Sequence, residues 1–255
     1  MQGFVSGANV RTISIGRALV KNIRLFCFPY AGAGASIYRQ WIHSQPTGVI
    51  VHPIQLPGRE DKINESALTS VPEIVDWTMK NLSTYFNGPF AFFGHSMGGL
   101  VSFELSRRLE QMNVRPIHLF ISATRAPHIK RGVRLLNVLE DEELLAELCK
   151  LNGISYEVLR SQELVRLLIP TLRADLSVFE SYVYQAGPLL TCPITIFGGI
   201  DDSRVNHLDL NAWASYTRAN FRASLYPGDH FFIREHGIQM LELMGKVLRE
   251  NVSAP

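Results

Sequence analysis

The sequence is short of most features that would assign it to a specialised class. Its 255 residues include three cysteines, Cys27, Cys149 and Cys192, scattered and odd in number. That argues against a disulfide framework or a paired CxxC motif and fits a reducing compartment. Cys27 and Cys192 fall in apolar, strand-like runs and are expected to be buried as small hydrophobes. The eight histidines show no HExxH or similar spacing, so no metal site is expected. The formal net charge is only +2, with no basic block to hold a nucleic acid. No apolar run approaches the length that spans a bilayer, and the N-terminus lacks the apolar core of a signal peptide. A cytoplasmic protein without membrane contact is expected. Residues 1–20 read as a loosely ordered lead-in with one short strand around Thr12–Ile15.

What is present is ordinary globular composition, 46% apolar and 19% charged, in a length that suits a single domain, 1–255. Ile23–Phe28 reads as a buried strand ended by Pro29, and Val49–Leu56 as the next, ended by Pro57-Gly58. Pro89–Phe93, Ile117–Ser122, Ile194–Phe197 and Phe221–Leu225 read as four more. Helical periodicity covers Thr69–Phe86, where Ser70 and Glu73 form a capping-box pair, and then Gly99–Met112, Leu208–Thr217 and Arg234–Glu250. A short helix with Tyr38 and Trp41 follows the small-residue loop Tyr30–Ser36. Alternation of this kind predicts an α/β fold, a mostly parallel sheet with helices on its faces.

The alternation breaks between about residues 125 and 185. Glu140–Leu151 and Ser161–Tyr184 both look helical, with no strand between them. Leu164, Leu167, Leu168, Leu172, Leu176 and Phe179 recur at helical spacing. The stretch reads either as a plain pair of core helices or, preferred for its place in the chain, as a helical lid insertion. Such a lid, apolar inside, would admit a long acyl or thioester substrate.

The chemistry concentrates at Gly94-His95-Ser96-Met97-Gly98. A Gly-x-Ser-x-Gly pentapeptide between a strand and a helix is the pattern of a nucleophile elbow. The turn is tight enough that the residues two before and two after the serine must lack side chains, and Gly99 is expected to loosen it further. A serine hydroxyl needs an adjacent base. His230, in a strand-to-helix loop near the C-terminus, stands where the order Ser…Asp…His of an α/β hydrolase puts one. His95 is beside Ser96 in sequence but cannot easily fold back onto it. Asp201 and Asp202 both follow the Ile194–Phe197 strand. The spacing Gly-x-x-Asp-x-x-Val selects Asp202 as the acid, with Asp201 as the alternative, while Asp229 is expected to shape its own turn. The backbone N–H groups of Ala31 and Met97 are the expected oxyanion donors. A dinucleotide reading of the Gly32-Ala33-Gly34 loop is weak, since neither the third glycine nor a Walker lysine follows. Arg59 reads as the anchor of a loop salt bridge rather than a ligand for an anionic substrate tail.

The set Phe28-Pro29-Tyr30-Ala31-Gly32, Leu56-Pro57-Gly58-Arg59, Gly94–Gly98, Leu172-Arg173-Ala174-Asp175, Gly198-Gly199-x-Asp201-Asp202 and Gly228-Asp229-His230-Phe231-Phe232 resembles the type II thioesterases. These are discrete editing hydrolases that accompany nonribosomal peptide and polyketide synthases. The resemblance runs from about residue 23 to 245. Ser203 stands where the family often has proline, and Asp229 where a second glycine is common. The resemblance implies hydrolysis of acyl groups from the phosphopantetheine arm of acyl or peptidyl carrier proteins, by a monomer with no cofactor of its own. The competing readings are a medium-chain fatty-acyl thioesterase, a general carboxylesterase and, in another class, a non-catalytic module that holds an acyl carrier.

Overall fold

The computed structural model describes residues 22–129, 135–154 and 156–253. Its elements follow in the order β1 (Ile23–Phe28), α1 (Arg39–His43), β2 (Val49–Pro53), α2 (Val71–Leu82), β3 (Phe90–His95), α3 (Met97–Gln111) and β4 (His118–Ser122). Three helices come next, α4 (Asp141–Lys150), α5 (Tyr156–Leu159) and α6 (Gln162–Glu180). The chain then returns through β5 (Ile194–Gly199), α7 (His207–Asn211), β6 (Phe221–Tyr226) and α8 (Ile233–Ser253).

Most of the strands are apolar on both sides, so both faces of the sheet must be covered. The six pair in parallel in the order β2-β1-β3-β4-β5-β6. On one face Phe26, Phe28, Phe90 and Phe92 pack with Ile74 of α2 and Val101 of α3. On the other, Leu25, Cys27, Ala91 and Phe93 meet Trp41 of α1 and Met240 and Leu241 of α8. Cys27 and Cys192 are buried, and burial pushes both thiols up, which keeps them neutral. The segment between β4 and β5 carries a separate small cluster, Leu136 before α4 with Leu144, Leu148, Leu172 and Leu176 of α4 and α6.

Several boundaries differ from the sequence reading for identifiable reasons. β2 ends at Pro53 rather than Leu56, because β1 stops at Phe28 and the last bond across the pair is Ile54 N–H to Cys27 O, 2.9 Å. α2 starts after Ser70, whose Oγ accepts from Glu73 N at 3.3 Å. The Glu73 carboxylate returns not to Ser70 but to Thr69 N at 2.7 Å, so the reciprocal half of the capping box is displaced by one residue. α6 ends at Glu180, not Tyr184. There Glu180 accepts from Leu136 N and Asn137 N at 2.8 and 3.2 Å, and Tyr182 Oη donates to Glu104. The stretch read as one helix over Leu208–Thr217 is the short α7 followed by a tighter turn, Ala212–Tyr216. α5 was not expected, and the strand proposed around Thr12–Ile15 lies outside the described residues. Among the described residues no helix is long and apolar enough to cross a membrane.

Candidate active site

β3 ends at His95 and α3 begins at Met97, so Ser96 alone makes the turn. It does so at φ 53°, ψ −115°, a conformation that costs a non-glycine residue about 1–3 kcal/mol. The surroundings hold it there. Ser96 N–H donates to Ser122 O at 2.8 Å, and Ser96 O accepts from Gly99 N at 3.0 Å and from Thr124 Oγ1 at 2.8 Å. A Cβ on Gly94 would lie 2.0 Å from Gly98 O, and one on Gly98 would lie 2.3 Å from Phe28 O, so backbone excludes both. Gly99 has a different task from the one expected. A Cβ there would sit 2.3 Å from Thr124 Oγ1, so the glycine makes room for the hydroxyl that braces Ser96.

The His230 loop, between β6 and α8, brings its imidazole back over the elbow. His230 Nε2 lies 3.0 Å from Ser96 Oγ, and Nδ1 lies 2.8 Å from Asp202 Oδ2. An ionised carboxylate only accepts, so Nδ1 carries the proton and Nε2 turns its lone pair to the serine hydroxyl. The other Asp202 oxygen accepts from Arg204 N at 2.8 Å and Val205 N at 3.1 Å, with the side chain fully buried. Asp201 is exposed and accepts instead from Gly228 N at 3.3 Å. Asp229 caps its own turn through Phe231 N at 2.7 Å and reaches across to Asn152 Nδ2 at 2.7 Å. Partial burial works against its ionisation. The bonds from Asn152 and Phe231, with Arg234 and His230 nearby, outweigh that and hold its carboxyl below the usual range.

His95 points beneath the site rather than into it. Its Nδ1 is 2.9 Å from Ser122 Oγ and its Nε2 is 2.9 Å from His230 O, so Nε2 is the donor and the ring ties the His230 loop to β4. Burial, then the neighbouring His230, holds its pKa well below the ordinary value, and it stays neutral.

Ser96, His230, Ala31 and Met97 line one cavity of about 50 Å³, with Leu176 and Phe179 of α6 on its wall. Phe179, Arg125 and Arg204 also line a second chamber of about 310 Å³, which extends past Leu100, Tyr182 and Tyr184. A groove of about 620 Å³ between α2 and α3, near Val75, Arg107 and Arg108, contains none of the candidate groups despite its size. Arg59 is buried, not poised for a substrate anion. Its Nη1 and Nη2 donate to the two Asp175 oxygens at 2.6 and 2.7 Å, and Gly32 N donates to Asp175 Oδ2 at 2.7 Å. Burial pushes the Asp175 carboxyl up, against these three donors, whose fork geometry is that of an ionised carboxylate.

Sequence reasoning passed over Thr124, Ser122, the two bonds of His95 and the Gly32–Asp175 bond. Only Asp175 had a signal, its place in the Leu172–Asp175 motif. The others depend on strands meeting in register, which no local pattern announces.

A parallel sheet that presents a serine on a one-residue turn, with a histidine and a buried aspartate aligned behind it, has the architecture of the α/β hydrolases. Within that class the chain belongs to the thioesterase domain family, whose model matches residues 23–248. It is 43% identical over 247 residues to the gramicidin S biosynthesis protein GrsT of Aneurinibacillus migulanus, covering 96% of each chain. It is 30% identical over 233 residues to the human medium-chain S-acyl fatty acid synthase thioesterase, covering 88% of this chain and 87% of that one. Among solved structures it resembles ClbQ from the colibactin NRPS/PKS pathway, with a TM-score of 0.86 and 30% identity, over 90% of this chain and 98% of that one.

Proposed function

We propose that this chain is an editing thioesterase, clearing acyl groups from the phosphopantetheine arms of carrier proteins in a nonribosomal peptide or polyketide synthase system. The observation that carries the reading is the unbroken line Asp202–His230–Ser96, at 2.8 and 3.0 Å, opening on the cavity that Ala31 and Met97 also line. Ser96 Oγ attacks the thioester carbonyl while His230 Nε2 takes its proton and Asp202 stabilises the imidazolium. The N–H groups of Met97 and Ala31 receive the oxyanion, each worth about 10²–10³ in rate. Collapse expels the pantetheine thiolate, which takes the proton from His230. A water, deprotonated by the same histidine, then frees the acid from Ser96. These steps draw on side chains, backbone and water alone.

In this reading residues 125–185 form the lid, and the carrier protein docks around the opening beside it. The cavity of about 50 Å³ at Ser96 suits short acyl groups, since at about 10–15 Å³ for each water-sized group it holds only a few. A medium chain would need the chamber beyond Phe179. That, together with the greater identity to GrsT than to the human medium-chain enzyme, favours the synthase-editing role.

The test compares turnover of acetyl-, aminoacyl- and medium-chain thioesters on a carrier protein with that of simple esters. The expected result is fastest release of short acyl groups from the carrier. Simple esters turning over faster than every carrier thioester would sink the reading in favour of a general esterase.

A further inference from the structure

Three segments distant in sequence meet beside the site: the loop after β1 at Gly32, the turn after β2 at Arg59, and α6 at Asp175. We propose that the buried Arg59–Asp175 pair is a positioning device for the oxyanion loop, setting the direction of the Ala31 N–H. The inference rests on the proposed mechanism, in which Ser96 is the nucleophile and Ala31 an oxyanion donor. Asp175 is 0% exposed and Arg59 5%. Besides its fork onto Asp175, Arg59 donates from Nη1 to Ala33 O at 3.0 Å and from Nε to Pro57 O at 3.3 Å. Thr171 Oγ1, one helical turn before Asp175, donates to Gly58 O at 2.6 Å.

A buried ion pair is seldom the most stable way to fill such a space, because well-packed apolar residues of like volume often do as well or better. What apolar residues cannot do is aim a peptide. The Gly32 N–H belongs to the peptide that follows Ala31, so its 2.7 Å bond to Asp175 fixes the rotation of that peptide. Gly32 sits at φ +79°, and a Cβ there would lie 2.4 Å from Leu172 Cδ2, so the loop lies flush against α6. The Ala31 N–H, one peptide earlier, is thereby held in a set direction at the cavity. Charge balance adds a second reason for the pair. A bare carboxylate near an oxyanion hole would oppose the developing negative charge, and Arg59 neutralises it. α6 also supplies Leu176 and Phe179 to the cavity wall, so one helix sets both the donor and the surface that meets the acyl group.

The test is the double variant Arg59→Met with Asp175→Leu, which removes both charges. It should unfold cooperatively near the wild-type temperature. Its kcat on a short acyl thioester should fall about 100-fold with KM nearly unchanged, as for a misplaced catalytic group. Binding of a short alkylboronic acid, whose tetrahedral adduct on Ser96 uses the same donors, should weaken in parallel with kcat. Wild-type kcat in the folded double variant would overturn the proposal. If the double variant does not fold, Arg59→Lys, which keeps the charge and loses the fork, decides. A kcat loss at constant KM supports the positioning role, and an unchanged kcat overturns it. Failure of the underlying reading shows separately, as hydrolysis that survives Ser96→Ala in the otherwise native chain.

Discussion

Ser96 is fixed by Ser122 O, Gly99 N and Thr124 Oγ1 and by two glycines that backbone forbids from changing. Across the same cavity, α4 and α6 are held largely by leucine on leucine, through Leu144, Leu148, Leu172 and Leu176. The elbow is therefore specified by direction, because hydrogen bonds fix the turn and a Cβ on Gly94 or Gly98 would come within 2.0–2.3 Å of backbone oxygen. The insertion is specified by volume, which tolerates exchange of one apolar group for another. Asp175, Thr171 and Asn152 are exceptions, directional contacts reaching from the volume-specified region to loops beside the site. In the proposed mechanism chemistry belongs to the first region and acyl selectivity to the second, and substitutions should separate the two.

The largest effect should come from Ser96→Ala, which is expected to lower kcat by about 10⁶ with little change in stability, by analogy with other serine triads. Steady-state rates beside a thermal melt check both halves. Asp202→Asn should cost about 10⁴ by presenting the wrong tautomer of His230. Asp201→Asn, exposed and facing Gly228, should stay within about threefold, since removing an exposed partner seldom matters more. The reverse ranking would move the acid to Asp201. Gly98→Ala should destabilise the chain by about 3 kcal/mol or more in denaturant melts, because the clash is with backbone that cannot swing aside. In the insertion, Phe179→Ala should leave turnover of an acetyl thioester near wild type and raise that of an octanoyl thioester about 10-fold, by joining the two chambers. An unchanged chain-length profile would remove Phe179 as the divider.

The last effect is a pH dependence shared by three histidines of the sheet, of which His52 is lowered by burial and then by Arg24. Burial, then Arg222, pushes His118 down to about 3, and His95 is lowered for the reasons given above. Below about pH 6.5 the unfolded chain binds protons that the folded one does not, so stability falls as pH falls. Each group contributes a slope of up to about 1.4 kcal/mol per pH unit, and that of His118 ends near pH 3. His118→Phe should flatten the acid limb by one proton in denaturation measured at pH 7, 6 and 5. Its bonds to Thr195 and Asn251 place it at the far end of β4 from the elbow, so activity should be little affected.

The two regions were also unequally legible in the sequence. Gly94, Ser96 and Gly98 declare their turn because the steric demand is local, and the parallel sheet followed from runs such as Leu25–Phe28 and Phe90–Phe93. Asp202 could be preferred over Asp201 by spacing, but only the bonds to Arg204 N and Val205 N account for its orientation. The insertion was visible as two helices and as nothing finer. The end of α6 depends on Glu180 capping a segment more than forty residues away, which periodicity does not encode. Arg59 read correctly as an anchor, yet its partner on α6 and the Gly32 bond lie across the fold.

The central claim is that the ordered line at the elbow makes Ser96 the acyl acceptor. Rapid mixing of the protein with a stoichiometric acyl carrier thioester, acid quench and peptide mass analysis tests it most directly. The account predicts a transient acyl adduct on the peptide containing Ser96, forming as the carrier loses its acyl group and decaying as free acid appears. Release of the acid with no adduct on that peptide at any time, and at an undiminished rate in Ser96→Ala, would contradict it.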